Sequence, residues 1–361
     1  MAPAHEEELD APSHDTAPSI SPSTDRSARL DTWLNLGVWA VAIAVIAFGA
    51  FFAYSVYAQR QAERLSNPAL QAVDALVKQV KAKPGDPELH SRLAEALATA
   101  GQLDEAKTEL LTAIKLDPKY IGAYQNLATL ELNQKLYTES AAHWKKVLDL
   151  TADTNMAEIN QRRELAFFNL GQISYIQKDF VGAIGYFNQA IRIKKDASDT
   201  YLLLAKSYME LGENEQAMDK INAALAFDPK YAEAHYVRGQ LYRKAGDLVS
   251  AAWDFRAALD EAPDNPEAQA AVDSLGSYDN WYGKAAKAWG SHDTSAALDA
   301  VRIARSITPG SYDAAMLNGQ ILESTGDSKD AVDAYTIALK AKPDDPEATA
   351  ALKRAKAASK E

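Results

Sequence analysis

The distribution of apolar and polar residues divides the chain into two parts. Between Trp33 and Tyr57 the sequence reads WLNLGVWAVAIAVIAFGAFFAYSVY and contains no charged side chain. From Pro68 onward, apolar and small residues recur at regular intervals and are separated by charged residues. The first pattern predicts one helix that is apolar on every side. The second predicts a series of amphipathic helices that pack against one another.

The apolar segment is long enough to cross a membrane. Its 25 residues span roughly 38 Å as a helix, whereas the hydrocarbon core of a bilayer is about 30 Å thick. A buried helix of a soluble domain and a cleaved signal peptide are the alternatives. The uniformly apolar run argues against the first, and its length and acidic leader argue against the second. We therefore expect an uncut transmembrane helix over residues 32–58, with the lipid bilayer contacting residues 33–57.

The flanking charges do not decide the orientation of this helix. Arg26 and Arg29 precede it, and Arg60 and Arg64 follow it, so the positive-inside count is equal. A short head followed by one span and a large domain is the usual arrangement of a signal anchor. We therefore expect a single-pass protein of the cell membrane, with its larger domain on the extracytoplasmic side.

Residues in the predicted turns repeat at one fixed interval. The prolines of these turns are Pro84, Pro118, Pro229, Pro263, Pro309 and Pro343. Their successive spacings of 34, 111, 34, 46 and 34 residues fit a period of 34 with one insertion of 9 residues and one of 12. Alanines such as Ala183, Ala217 and Ala251 give the same period. A fixed period of this length indicates a helical repeat protein.

Each repeat resembles the tetratricopeptide repeat, whose pattern has a small residue at slot 8, Ala at slot 20, an aromatic residue at slot 24 and Pro at slot 32. The aligned repeats begin at Pro87, Ile121, Glu164, Ser198, Ala232, Tyr278 and Tyr312. Slot 8 is occupied by Ala94, Ala128, Gly171, Ala205, Gly239, Ala285 and Gly319. The resemblance implies an all-α fold, an α-solenoid of about seven helix–turn–helix repeats plus a capping helix.

The repeat boundaries give the expected domain organisation. We expect a disordered acidic tail over 1–31, the transmembrane helix over 32–58, and a linker with a leading helix over 59–86. Repeats 1–5 follow over 87–265, an insert over 266–277, repeats 6 and 7 over 278–345, and a capping helix over 346–361. The insert is either an extra helix or a long loop. The insert resembles the start of the capping helix, which favours a helix. A cap-like helix at this point would divide the repeats into two groups, with a hinge between them.

Composition and motifs argue against catalysis. The chain of 361 residues contains no Cys and has a formal net charge of −12, which disfavours thiolate metal sites, a Cys nucleophile and nucleic-acid binding. The repeats fill residues 87–345, and no phosphate-binding loop or hydrolase motif stands elsewhere. His90 and His235 occupy slot 4, a packing position. We therefore expect no enzyme, catalytic residue, cofactor, metal, small-molecule substrate or nucleic-acid partner.

The resemblance also implies where a partner binds. In the tetratricopeptide repeat family, positions 2, 5, 9 and 12 of each first helix face a concave groove. The candidate groove residues here are Phe168, Gln172, Tyr175, Leu202, Lys206, Met209, Tyr236, Gln240, Arg243, Tyr282 and Trp289. Position 5 has no Lys and position 9 has no Asn, so the family's clamp for a terminal carboxylate is missing. The alternative is that these side chains pack against neighbouring helices.

Together these features favour an interaction protein. We expect a membrane-tethered scaffold that binds partner proteins or peptide segments, themselves membrane or envelope proteins, for the assembly of a complex. The alternatives are a holdase-like chaperone and an accessory factor for export or cytochrome c maturation.

Overall fold

A computed structural model describes residues 24–152 and 157–360 of the chain. Within those ranges there are eighteen helices and no strand. The described residues form two compact units that divide after Val77. Most of the expected disordered tail, residues 1–31, lies outside the described ranges.

Helix α1 (Thr24–Ser66) contains the apolar segment, and α2 (Pro68–Ala82) follows it. Residues Leu36–Gln59 are long and apolar enough to cross a membrane, judged by length and composition. The large apolar side chains of this segment are exposed. The helix begins eight residues before the predicted start at Thr32. Helix α1 therefore includes residues 24–31 of the expected tail, since each residue added to an existing helix gains a hydrogen bond without a new nucleation step.

The remaining helices form pairs in chain order. The first helices of the pairs are α3 (Pro87–Thr99), α5 (Ile121–Asn133), α7 (Ala157–Ile176), α9 (Ser198–Glu210), α11 (Ala232–Ala245), α14 (Tyr278–Gly290) and α16 (Tyr312–Thr325). The second helices are α4 (Leu103–Leu116), α6 (Tyr137–Leu150), α8 (Phe180–Ile193), α10 (Asn214–Phe227), α12 (Leu248–Glu261), α15 (Thr294–Ile307) and α17 (Ser328–Ala341). Helix α13 (Pro266–Asp273) stands between two pairs, and α18 (Pro346–Ala358) follows the last.

Three helices begin at the same local sequence. Asp86, Asn265 and Asp345 each precede a Pro at the first helical position, and each side-chain oxygen accepts hydrogen bonds from backbone N–H groups of the following turn. Such caps satisfy donors that have no partner inside the helix, and Pro is tolerated there because it lacks an N–H. Asp86, Asn265 and Asp345 therefore act as helix N-caps.

The turn inside each pair has one conformation throughout the described repeats. Gly101, Gly212, Gly246 and Gly326 adopt left-handed φ angles of 78–85°. Lys135, Lys178 and His292 occupy the same turn position with φ angles of 62–63°. The turns that lack glycine therefore keep the same backbone conformation, and a residue with a Cβ adopts the strained left-handed φ angle.

The packing order changes at the insert. Along the other pairs, the second helix of one pair contacts the first helix of the next, as α8 contacts α9 and α10 contacts α11. Helix α12 instead contacts α13 and the second helix α15. Ala268 and Val272 of α13 cover Phe255 of α12, and Ile307 of α15 packs against the same cluster. The 12-residue insertion thus supplies a short helix in the place of a regular first helix.

Candidate binding surface on the first helices

The candidate residues lie on four first helices. Phe168, Gln172 and Tyr175 are on α7, Leu202, Lys206 and Met209 are on α9, Tyr236, Gln240 and Arg243 are on α11, and Tyr282 and Trp289 are on α14. Helix α7 contacts α9, and α9 is linked to α11 by the ion pair between Lys206 and Glu233. The candidates on α7, α9 and α11, apart from Leu202, form what we call the α7–α11 surface.

The aromatic residues of the α7–α11 surface are half-buried. The ring of Phe168 lies 6.2 Å from that of Phe187, and the ring of Tyr175 lies 5.5 Å from that of Phe180. Tyr236 packs against two core clusters. One side of each ring therefore contributes to the packing between helices, while its remaining exposed part is available for contact with a partner.

Leu202 does not belong to this surface. Its side chain is 2% exposed and lies in a core cluster with Ala205, Ile221 and Val237. Its expected role in the groove is therefore wrong. Position 5 of this helix is covered by the adjoining helices, and the helical period alone does not reveal how deeply a given position is covered.

The polar residues of the surface differ in their contacts. The Arg243 guanidinium donates a hydrogen bond of 3.1 Å to Ser274 Oγ and lies 5.4 Å from the centre of the Phe255 ring. Gln172 and Gln240 are half-buried, and neither side chain forms a hydrogen bond with another described residue. These two amides are thus open to hydrogen bonds with a ligand.

Carboxylates surround the aromatic residues of the surface. Burial raises the pKa of Tyr175, and the carboxylates of Glu210 and Glu233 raise it further. Burial likewise raises the pKa of Tyr231 to about 12, with contributions from Glu233 and Asp199. Each neighbouring negative charge disfavours the tyrosinate form. The α7–α11 surface therefore combines aromatic side chains with acidic ones.

Tyr282 and Trp289 belong to a different cluster. Both pack with Ala285, and the ring of Tyr282 stacks on that of Tyr278 at 5.7 Å. Burial raises the pKa of Tyr282, and Asp313 adds to this effect. Helix α14 contacts α15 and α16, so these two residues are grouped with the last repeats.

Sequence reasoning missed hydrogen bonds that run between repeats. Asn126 of α5 donates to Ser91 Oγ of α3 at 3.1 Å, and Arg162 of α7 donates to Gln125 Oε1 of α5 at 2.9 Å. Ser91 and Gln125 both occupy position 5, which the repeat pattern assigns to the groove. The signal was present in the polar character of position 5 in the first two repeats, but polarity alone does not identify a partner.

Slot 4 carries a histidine with the same contacts in two repeats. His235 Nδ1 lies 2.9 Å from Asp254 Oδ1, and its Nε2 lies 2.9 Å from the Pro229 carbonyl oxygen. His90 lies between Glu109 and the Pro84 carbonyl in the same way. Both histidines therefore tie a first helix to its second helix and to the preceding turn. Among the described residues, no group of three His, Asp or Glu side chains is placed to hold a metal ion.

Family models match three segments of this chain. One tetratricopeptide repeat model matches residues 69–131 and 175–241, and a second matches residues 282–346. Together the matches cover just over half of the 361 residues.

Individual relatives match shorter parts. The translocon at the outer membrane of chloroplasts 64 of Pisum sativum is 29% identical over 135 residues, which is 37% of this chain and 22% of that protein. Tetratricopeptide repeat protein 13 of Homo sapiens is 27% identical over 152 residues, 42% of this chain and 16% of that protein. The chain thus spans less than a quarter of the length of either relative.

The chain is also similar in part to a solved structure. The crystal structure of YrrB, a TPR protein with an unusual peptide-binding site, is 20% identical, has a TM-score of 0.46, and covers 56% of this chain and 100% of its own.

Proposed function

We propose a specific protein-binding function for this chain, which belongs to the tetratricopeptide repeat family. Repeats of this family imply protein or peptide partners and are generally non-enzymatic scaffolds. The partner segment lies on the α7–α11 surface, and the role includes no catalytic step.

One observation carries this assignment. Phe168, Tyr175 and Tyr236 are half-buried and stand beside Gln172 and Gln240, whose amides form no hydrogen bond within the described chain. Aromatic side chains give a partner much contact area at a small cost in side-chain entropy, and free amides supply hydrogen bonds to an extended backbone. The surface therefore has the composition of a binding site for a peptide segment.

The charges define the kind of segment. Asp199, Glu210 and Glu233 contribute negative charge near the tyrosines, and the Lys206 ammonium is paired with Glu233. Opposite charges across an interface favour association and exclude like-charged competitors. The partner segment therefore carries apolar side chains flanked by Lys or Arg.

Site-specific crosslinking tests this assignment. A photo-crosslinking amino acid is placed at position 172 or 240 of the full chain, and at position 189 as the control, since Gln189 is an exposed glutamine on the second helix α8. Crosslinking in native membranes at 172 and 240, but not at 189, to the same one or two proteins is expected. Equal crosslinking from all three positions would contradict the surface assignment, and capture of many unrelated unfolded proteins would favour the holdase function.

The proposed scaffold is tethered to the cell membrane. The support is the segment Leu36–Gln59, whose apolar side chains are exposed and whose length matches a bilayer. The full chain should remain in the membrane after alkaline carbonate extraction, whereas a variant lacking residues 33–57 should be released. Release of the full chain would refute the tether.

Protease added to intact cells should cleave the repeats, because we place them on the extracytoplasmic side. Protection of the repeats until the cells are lysed would contradict that orientation.

A further inference from the structure

A cavity of about 450 Å³ lies where the insert changes the packing order. It is bordered by α12, α15, α16 and α17, and its lining includes Trp253 and Asn318. The contact between α12 and α15 brings together second helices that stand apart in the regular repeats. A volume of this size falls within the range of about 300–1,000 Å³ that holds small molecules in proteins.

Opposite charges line two walls of this cavity. Arg302 and Arg305 lie three residues apart on α15, and Asp330 and Asp333 lie three residues apart on α17. Residues at this spacing share one face of a helix. Within the described parts of the chain, none of these four side chains forms an ion pair. The cavity therefore carries two positive and two negative side chains without a direct contact between opposite charges.

Two polar atoms at the cavity lack partners. Arg305 Nε and Asn318 Oδ1 are buried and form no hydrogen bond. Burial lowers the pKa of the Arg305 guanidinium, the neighbouring Arg302 lowers it further, and Asp333 opposes the change. A buried donor without an acceptor is unfavourable, so an anionic group beside Arg305 would relieve both the missing hydrogen bond and the repulsion from Arg302.

The rest of the lining supports a ligand with an apolar part. The Arg256 guanidinium lies 2.7 Å from Asp260 Oδ1, so its charge is already paired. Trp253 is 61% exposed, and its indole offers an apolar face at the cavity. An aliphatic or aromatic portion of a ligand would cover that face and remove it from water.

We propose that this cavity binds a small molecule that carries one carboxylate and one ammonium group, an amino acid in the chemical sense. The carboxylate lies against Arg302 and Arg305, and the ammonium lies against Asp330 and Asp333. A simple anion would meet repulsion from the two aspartates, and a simple cation would meet repulsion from the two arginines. The site is separate from the α7–α11 surface and stands independently of the proposed protein binding.

A series of amino acids of increasing length tests the proposal. The full chain, labelled with ¹⁵N-arginine and held in detergent micelles, is titrated with glycine, β-alanine, γ-aminobutyrate and ε-aminocaproate while the Arg side-chain Nε–Hε signals are recorded. Acetate and methylammonium serve as probes with a single charge. One length should shift the Arg305 signal saturably and bind at least about tenfold more tightly than acetate, which corresponds to about 1.4 kcal/mol. Equal binding of acetate would reduce the site to an anion site and overturn the amino-acid assignment, and the absence of any saturable shift would overturn the proposal altogether.

Matched variants locate the binding. Arg302→Gln and Asp333→Asn change exposed side chains of the two walls, so the fold should be retained and each should weaken binding of the preferred amino acid at least about tenfold. Lys329→Gln and Asp299→Asn alter charge by the same amounts on exposed positions of α17 and α15 outside the lining. Binding should be unchanged in these controls. Equal losses in variants and controls would show a general charge effect and contradict the proposed site.

Discussion

The ring of Phe255 occupies the space that a side chain at position 239 would need. A Cβ placed on Gly239 would lie 2.6 Å from two ring carbons of Phe255. The relationship recurs, since a Cβ on Gly171 would lie 2.5 Å from the Phe187 ring. Slots 8 and 24 are therefore coupled in the pairs that have glycine at slot 8, where a Phe or Tyr ring faces the residue that has no side chain. Trp144, which faces Ala128, departs from this rule.

Adding one methyl group at this contact should destabilise the protein. Gly239→Ala should lower the free energy of unfolding by about 1–3 kcal/mol, because the ring or the helices must shift to admit it. Chemical denaturation of the full chain in detergent, followed by circular dichroism, measures the change. In the Gly239→Ala background, Phe255→Ile should recover part of the loss, since it copies the Ala205–Ile221 combination of the preceding repeat.

Gly185 supplies the matched control. It lies in helix α8, and a Cβ added there would have no neighbouring atom within 4 Å. Gly185→Ala should therefore raise the free energy of unfolding by about 0.5–1 kcal/mol, because alanine restricts the unfolded chain and favours the helix. If Gly239→Ala proved as favourable as Gly185→Ala, the proposed steric contact with Phe255 would be wrong.

Replacing Lys178 by glycine should stabilise the folded protein. Its φ angle of 63° lies in the left-handed region that glycine adopts in the equivalent turns. Lys178→Gly should raise the free energy of unfolding by about 1 kcal/mol, because it removes the clash of a Cβ in that region. Lys145→Gly, on an exposed site inside helix α6, should have the opposite sign by about the same amount. The same denaturation experiment measures the change in the free energy of unfolding for both variants.

His235 should make stability depend on pH. Its two ring nitrogens both face acceptors, so both must donate and the folded state favours the imidazolium. The hydrogen bond to Asp254 is the largest cause of the raised pKa, while burial opposes it. This stabilisation is fully present below the ordinary pKa of 6.5 and is lost as the pH rises through the higher folded-state pKa.

Thermal unfolding at a series of pH values tests this dependence. The difference in midpoint between the unaltered chain and His235→Gln should be largest below the ordinary pKa of 6.5 and should shrink as the pH rises through the raised folded-state pKa. A difference that grows with pH, or that does not change, would contradict the raised pKa. His292→Gln is the control, because this exposed histidine forms no ion pair in the described chain.

Substitutions at Leu202 and Gln172 should distinguish a core residue from a surface residue. Leu202→Ala should lower the free energy of unfolding by about 2–5 kcal/mol, since it leaves a cavity beside Ile221 and Val237. Gln172→Ala should change it by less than about 0.5 kcal/mol, because no hydrogen bond is lost within the described chain. Denaturation with urea measures the free energy of unfolding of both variants. A small effect of Leu202→Ala would indicate that Leu202 belongs to the binding surface and not to the core.

The regular repeats could be predicted almost entirely from the sequence. Small residues at slot 8 recur in all seven repeats, alanine occupies slot 20 in all but the second, and proline follows the second helix in five of the seven; each has a local physical role. The helical type of the fold and its membership of the repeat family are confirmed. The binding site was less predictable, because a groove position such as Leu202 becomes buried through contacts with helices from adjoining repeats.

The sequence alone determined the length of each helix pair, the turns between them and the apolar segment, because these depend on residues close together in the chain. Only the tertiary structure decided that the second helix α15 packs on α12, and that Arg305 and Asp333 lie on opposite walls of one cavity. These contacts join residues brought together by the packing around the insert. A local pattern specifies a helix and its apolar face, but which face meets which neighbour follows from the free energy of packing the whole array.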